Sequence, residues 1–179
     1  ASNVTMNSRL ISKRFDSACL ASALLLLSLN IQAAVLTGPT LNPGNGHTYY
    51  LLDSANWTDS QAEAITLGGN LVTINDQAEN DWVFNTFSQF DNIDRALWIG
   101  YSDVGDEGNF SWVSGEANTF ENWSGGQPDN GGGGSVEHYV HLLWPSHATN
   151  AGDWNDFQNL SSVNGFPVNG VVEINAIPI

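Results

Sequence analysis

The chain has 179 residues, the size of one domain with short appendages, and 41% of them are hydrophobic, enough to build a core. Acids outnumber bases 19 to 4, for a formal net charge of −15, and from residue 35 onward 18 acids face Arg95 alone. Nucleic acid and anionic lipid both need clustered Lys and Arg, so both are excluded as partners; such a chain favours cations, or neutral ligands held through cations.

Met6 marks a start after a five-residue upstream extension. Arg9, Lys13 and Arg14 then precede an apolar run from Ala18 to Leu29, and Ala33-Ala34 supplies small residues for cleavage. Basic region, short apolar region and small-residue exit read as a secretory signal peptide, which together with the upstream extension spans residues 1–34. The run falls short of the ~20 residues of a spanning helix, so the expectation is a secreted or cell-surface protein with no membrane insertion of the mature domain. Cys19, the only cysteine, lies inside that segment, which leaves the mature chain without thiol, disulfide or cysteine metal site. An exported domain without disulfides needs another staple or a good core, and bound calcium is a natural candidate.

Residues 35–46 read as a Gly/Pro/Asn lead-in, and His47–Leu52 as a strand. Thr58 with Gln61 fits a capping box that opens a first helix, which Gly68-Gly69 would stop. Asn70–Ile74 reads as a short strand, and Asn75 or Asp76 as the cap of a second helix running to about Phe87. Ala96–Tyr101 and Phe110–Val113 follow as strands. The chain from Gly115 to Ser135 is loop, Val136–Trp144 a strand, Asp153–Asp156 loop again, and Val168–Ile174 the last strand. Early helices, late strands and a long loop between them predict an α+β fold with no internal repeat.

Oxygen donors cluster at Gln127-Pro128-Asp129, at Glu137 and at Trp154-Asn155-Asp156. Gln127, Asp129, Glu137, Asn155 and Asp156 offer five oxygen side chains, three of them charged. A hard cation such as calcium takes 6–8 oxygens, which would leave about two positions for water or for a ligand's hydroxyls. A cis bond before Pro128 would turn both flanking side chains toward one point. Spacing alone leaves the alternative of a solvated acidic turn open.

The residues from His47 to Ile174 resemble a C-type lectin-like domain. The likeness lies in Ala62, Gly68-Gly69-Asn-Leu-Val-Thr-Ile-Asn-Asp-Gln-Ala-Glu-Asn80 and Leu97-Trp98-Ile99-Gly100. It continues in Phe110-x-Trp112-x-x-Gly115, Glu121-Asn122-Trp123, Gln127-Pro128-Asp129 and Gly152-Asp-Trp-Asn-Asp156. The resemblance implies two helices flanking a mixed antiparallel sheet with a long calcium-binding loop, over residues 47–175. It implies that Gln127, Asp129, Glu137, Asn155 and Asp156 hold the principal Ca2+ and also hydrogen-bond two vicinal sugar hydroxyls. The Gln-Pro-Asp motif goes in the family with galactose-type ligands. An auxiliary site is partly matched by Asp103, Glu107 and Asn130, with His138 in place of a usual carboxylate. Family members usually carry two disulfides; here Tyr139 stands where one cysteine is expected, as in cysteine-free bacterial relatives. Residues 176–179 close the chain at a point that resembles the start of a bacterial sorting segment.

The tryptophans at 82, 98, 112, 123 and 154 are expected mostly in the core, with Trp144 and Tyr101 as exposed stacking platforms. His138 and His141, three apart on an expected strand, face opposite sides. No zinc-hydrolase or serine-hydrolase motif is present. Three readings remain: a calcium-dependent carbohydrate-binding lectin; an adhesion or matrix protein that uses the fold without sugar; and a glycosidase pairing Asp129 with Glu137. The last is disfavoured, because an exposed loop with a bound cation opposes the raised carboxyl pKa that glycoside hydrolysis needs. The reading taken is the non-enzymatic lectin.

Overall fold

A computed structural model describes residues 34–131 and 136–175; the expected signal peptide, Cys19 and the chain's last four residues lie outside them. The elements in chain order are β1 (Val35–Leu41), β2 (Thr48–Ser54), α1 (Trp57–Thr66), β3 (Asn70–Leu71) and α2 (Gln77–Phe87). After a 3-10 turn at Phe90–Asn92 come β4 (Ala96–Ser102), β5 (Ser111–Trp112), β6 (Tyr139–Leu142), β7 (Trp154–Phe157), β8 (Ser162–Val163) and β9 (Phe166–Ile174). The main sheet runs β1-β2-β9-β4-β6-β7. Every pairing is antiparallel except β4 with β9, so the sheet is mixed and the α+β expectation holds. No helix among the described residues is long and apolar enough to cross a membrane.

Two caps set the helices. Of the two candidates, Asn75 and Asp76, it is Asp76 that caps α2, its side chain accepting from the Glu79 N–H at 2.9 Å. The cap of helix α1 lies two residues earlier than the sequence predicts. Asn56 is its cap and accepts from the Asp59 N–H at 2.8 Å, while Thr58 donates its hydroxyl to the same oxygen. Gln61, free of the capping box, instead donates to Asn70 at 2.8 Å and accepts from the Leu71 N–H at 2.9 Å, which pins β3 to the helix. The helix stops at Gly68, whose φ of +90° is open to glycine without strain. At Gly69 a Cβ would lie 2.1 Å from the Glu173 carbonyl oxygen, so only glycine lets this turn pack on β9.

Strand β4 is buried along its whole length, and its alternation feeds two cores. Leu97, Ile99 and Tyr101 join Val83 and Phe87 of α2, Val140, Trp112 and Trp154 on one side. Ala96 and Trp98 join Trp57, Leu143, Trp144 and Val168 on the other. Tyr139 packs on Trp57 with ring centroids 4.7 Å apart, an aromatic contact where the resemblance implies a cysteine.

Several segments differ from expectation: β3 ends at Leu71 rather than Ile74, β5 is only Ser111–Trp112, β8 is additional, and β9 begins at Phe166 rather than Val168. The lead-in contains a strand, β1, which pairs with β2 in broken register around Gly38-Pro39. Proline suits such an edge position, where no ladder donor is required. Strand β6 is shorter than Val136–Trp144. Trp154–Asp156, read as loop, belongs to strand β7, because pairing with β6 overrides the turn preference of Asn and Asp.

Candidate metal centre

The β6–β7 pair is the platform of the site. Val140 lies opposite Asp156 and His141 opposite Asn155, so Asn155 and Asp156 project to opposite faces of one strand. Trp123 bridges Trp154, and Ser124 donates to the Trp154 carbonyl at 2.9 Å, which fastens the following glycine turn to β7. The chain then passes through Gln127-Pro128, whose peptide bond is cis.

Asp156 organises the loop that follows. Its two oxygens accept the Asp129 N–H at 3.1 Å and the Asn130 N–H at 2.8 Å. Asp129 accepts from the Gly131 N–H at 3.0 Å, and Asn130, at φ 51°, accepts the Glu137 N–H at 2.8 Å through Oδ1. The loop thereby returns Glu137 to Asp129 although eight positions separate them; residues 132–135 lie outside the described set.

The result is a concentration of negative charge. Asp129, Glu137 and Asp156 each offer a carboxylate oxygen, all within 4.8 Å of one another, and Glu137 and Asp156 are buried. Burial, then the neighbouring Asp156 and Asp129, push the Glu137 carboxyl up to about 7. Burial also raises Asp156, against the lowering effect of the two N–H groups it accepts. Gln127 adds a side-chain oxygen that is buried and has no hydrogen-bond partner. Asn155 lines, with Asp129 and Glu137, an adjoining open cavity of about 460 Å³. Its amide donates to the Asp156 carbonyl and faces the His141 ring.

This donor set fits a hard cation. Mutually repelling, desolvated carboxylates and an orphaned amide oxygen are the groups that a divalent ion would satisfy together. Of the five principal residues, the structure brings three carboxylates together, buries the side-chain oxygen of Gln127 without a partner, and sets Asn155 on the wall of the adjoining cavity.

The auxiliary residues are arranged differently from the resemblance. Asp103 and Glu107 come together with His138, their donor atoms within 4.8 Å. Asn130 turns its oxygen to Glu137 and its amide hydrogens to Glu107, at 2.7 Å. His138 and His141 do serve separate places, as the spacing predicts: His141 is fully buried on the cavity wall, and burial lowers its pKa to about 4, which keeps the ring neutral.

The expected stacking platforms are not exposed. Tyr101 is fully buried with its hydroxyl on Glu121, because β4 is covered on both faces. Trp144 reaches the cavity but stacks on Phe166 at 4.7 Å and is only 7% exposed. His147, Phe157 and Asn164 also line the cavity, and no sequence motif marks them.

The fold and the site define a C-type lectin domain. A family model described as the lectin C-type domain matches residues 53–163, and the chain belongs to that family. It is similar to a perlucin-like protein of Mytilus galloprovincialis, 33% identical over 100 residues that cover 54% of this chain and 64% of the relative. It is similar also to lectin BRA-3 of Megabalanus rosa, 35% identical over 107 residues that cover 54% and 63%. The chain thus spans under two thirds of the length of these relatives. Among solved structures, the carbohydrate-recognition domain of cow CD23, crystallised in the presence of a GlcNAc2Man3 oligosaccharide, aligns with a TM-score of 0.60 and 26% identity. That alignment covers 74% of this chain and 90% of the other. The lectin CEL-I of Cucumaria echinata gives 0.59 and 26%, over 71% and 89%. Fold and family are those of lectins.

Proposed function

We propose that this chain is an exported, non-enzymatic lectin that binds galactose-type carbohydrate through Ca2+. The observation that carries the reading is the convergence of the Asp129, Glu137 and Asp156 oxygens within 4.8 Å; the side-chain oxygen of Gln127, two positions before Asp129, is buried without a hydrogen-bond partner. Gln127, Asp129, Glu137, Asn155 and Asp156 would hold the ion. When bound, calcium supplies a centre on which two vicinal hydroxyls complete the oxygen shell.

The side chains supply the rest of the recognition. Carboxylates only accept hydrogen bonds, whereas the Gln127 and Asn155 amides also donate, so together they match hydroxyls that give and receive. Gln127 before Pro128 and Asp129 after it set the order of donor and acceptor, and the resemblance of this Gln-Pro-Asp motif to that of galactose-type family members supports galactose over mannose. The relatives include a galactose-specific lectin, nattectin of Thalassophryne nattereri, 32% identical over 76 residues. The 460 Å³ cavity beside the carboxylates is open and of ligand size. Export rests on the sequence of residues 1–34.

The test is a glycan array with and without chelator, followed by monosaccharide competition. Binding lost in chelator and displaced by galactose better than by mannose is the expected result. Binding unaffected by chelator, or displaced better by mannose, overturns it.

A further inference from the structure

Beside the three-carboxylate group stands a second one of different chemistry. Asp103 follows β4, Glu107 lies in the next turn and His138 immediately precedes β6. The His138 Nδ1 lies 2.8 Å from Asp103 Oδ1 and 3.4 Å from Glu107 Oε2. The remaining oxygens are engaged elsewhere: Asp103 Oδ2 accepts the Gly108 N–H at 2.8 Å, and Glu107 Oε1 accepts the Asn130 amide at 2.7 Å.

The orientation of Asn130 decides which ion the group suits. Its Oδ1 is held by the Glu137 N–H at 2.8 Å, so its NH2 faces Glu107. An amide NH2 has no lone pair to offer a cation. What remains is two carboxylate oxygens and one imidazole nitrogen. Calcium takes 6–8 oxygens, so the set is too small and carries the wrong donor. Imidazole with carboxylate suits zinc, which is content with three protein ligands and one open position.

Spacing and access agree with zinc. In a tetrahedral shell at about 2.0–2.1 Å, donor atoms lie roughly 3.4 Å apart. The Glu107–His138 separation is 3.4 Å; that of Asp103 and His138 is 2.8 Å and opens by about half an ångström when the metal replaces the hydrogen between them. Asp103 is buried while the Glu107 side chain is 52% exposed, and a cavity of about 240 Å³ lined by both opens beside the group.

We propose that Asp103, Glu107 and His138 form a zinc site that discriminates against calcium. The site does not depend on the calcium reading of the neighbouring group. The experiment titrates Zn2+ calorimetrically into the whole chain saturated with calcium, and repeats the titration with Co2+ to read its visible spectrum. One zinc per chain is expected, with a Co2+ band that disappears in His138→Ala and weakens in Glu107→Gln. Zinc affinity should fall at least ~10-fold in His138→Ala, and His138→Asp should lose the preference for zinc over calcium. His47→Ala, at a separate histidine, should bind zinc as the unmutated chain does. No zinc uptake by the unmutated chain, equal uptake by His138→Ala, or displacement by millimolar calcium overturns the proposal. Failure of calcium to bind at Asp129, Glu137 and Asp156 would leave the zinc and cobalt readings unchanged, so the two failures are distinguishable.

Discussion

Replacing Glu137 by glutamine changes one charge and almost no volume, and its effect should reverse with calcium. Three carboxylate oxygens lie within 4.8 Å of one another, and two of the side chains are buried. Two unit charges at about 4.8 Å repel by ~3.5 kcal/mol at an effective dielectric of about 20. Burial, ahead of this repulsion, also disfavours the charged form of Glu137. Glu137 is raised from 4.5 to about 7, and that difference is worth about 3 kcal/mol. The sign follows from linkage. A carboxyl raised in the folded state holds its proton more tightly there than in the unfolded chain. Its contribution is therefore fully present below pH 4.5 and lost as pH rises through about 7.

Glu137→Gln removes that loss. In chelator at pH 8 the variant should be more stable than the unmutated protein by about 3 kcal/mol, or roughly 10 °C in Tm, and the difference should shrink toward zero at pH 4.5. Added calcium should raise the unmutated protein by about 2.7 kcal/mol at 100-fold excess over its Kd and the variant by much less. Thermal melts across pH, each with chelator and with calcium, read both effects. Equal melting temperatures at pH 8 in chelator would refute the repulsion. An undiminished calcium shift in the variant would refute Glu137 as a ligand.

Asp156→Ala should abolish the calcium shift, whereas Asp59→Ala on α1, remote in sequence from the carboxylate loop, should keep it; the same melts decide. Asn56→Ala should cost about 1 kcal/mol in urea unfolding as a lost helix cap, and Thr58→Ala only a few tenths; the reverse order would restore Thr58 as the cap. The double change Gln127→Glu with Asp129→Asn keeps the net charge but exchanges donor and acceptor about Pro128. It should reduce the preference for galactose over mannose in competition titrations, and an unchanged ratio would place specificity elsewhere.

The parts of this molecule that were legible in the sequence are those decided within a few residues. The Asp76 cap, the Gly68 stop and the strand at Ala96–Tyr101 each rest on local chemistry, and each stands in the structure. Strand β7 was not legible, because Asn155 and Asp156 favour turns until β6 pairs with them. Tyr101 failed as a platform for a similar reason: naming β4 a strand does not say what covers it, and the face that carries Tyr101 is packed against Trp112 and Trp154 from distant parts of the chain.

The carboxylate sites divide along the same line. Which oxygens exist, and roughly where they cluster, follows from Gln127-Pro128-Asp129 and Trp154-Asn155-Asp156. What each cluster can hold depends on how single side chains are turned, and that is set across the fold. Asp156 draws the Asp129 and Asn130 N–H groups onto its two oxygens, and this places Asn130 where the Glu137 N–H takes its oxygen. Its amide hydrogens are then left for Glu107. One asparagine thus closes the loop of the first group while withholding an oxygen from the second. Two neighbouring clusters of acidic residues consequently differ in the donors they present: oxygen and charge in the first, oxygen and imidazole nitrogen in the second. No count of acids along the chain distinguishes them, because the difference lies in the direction of one amide.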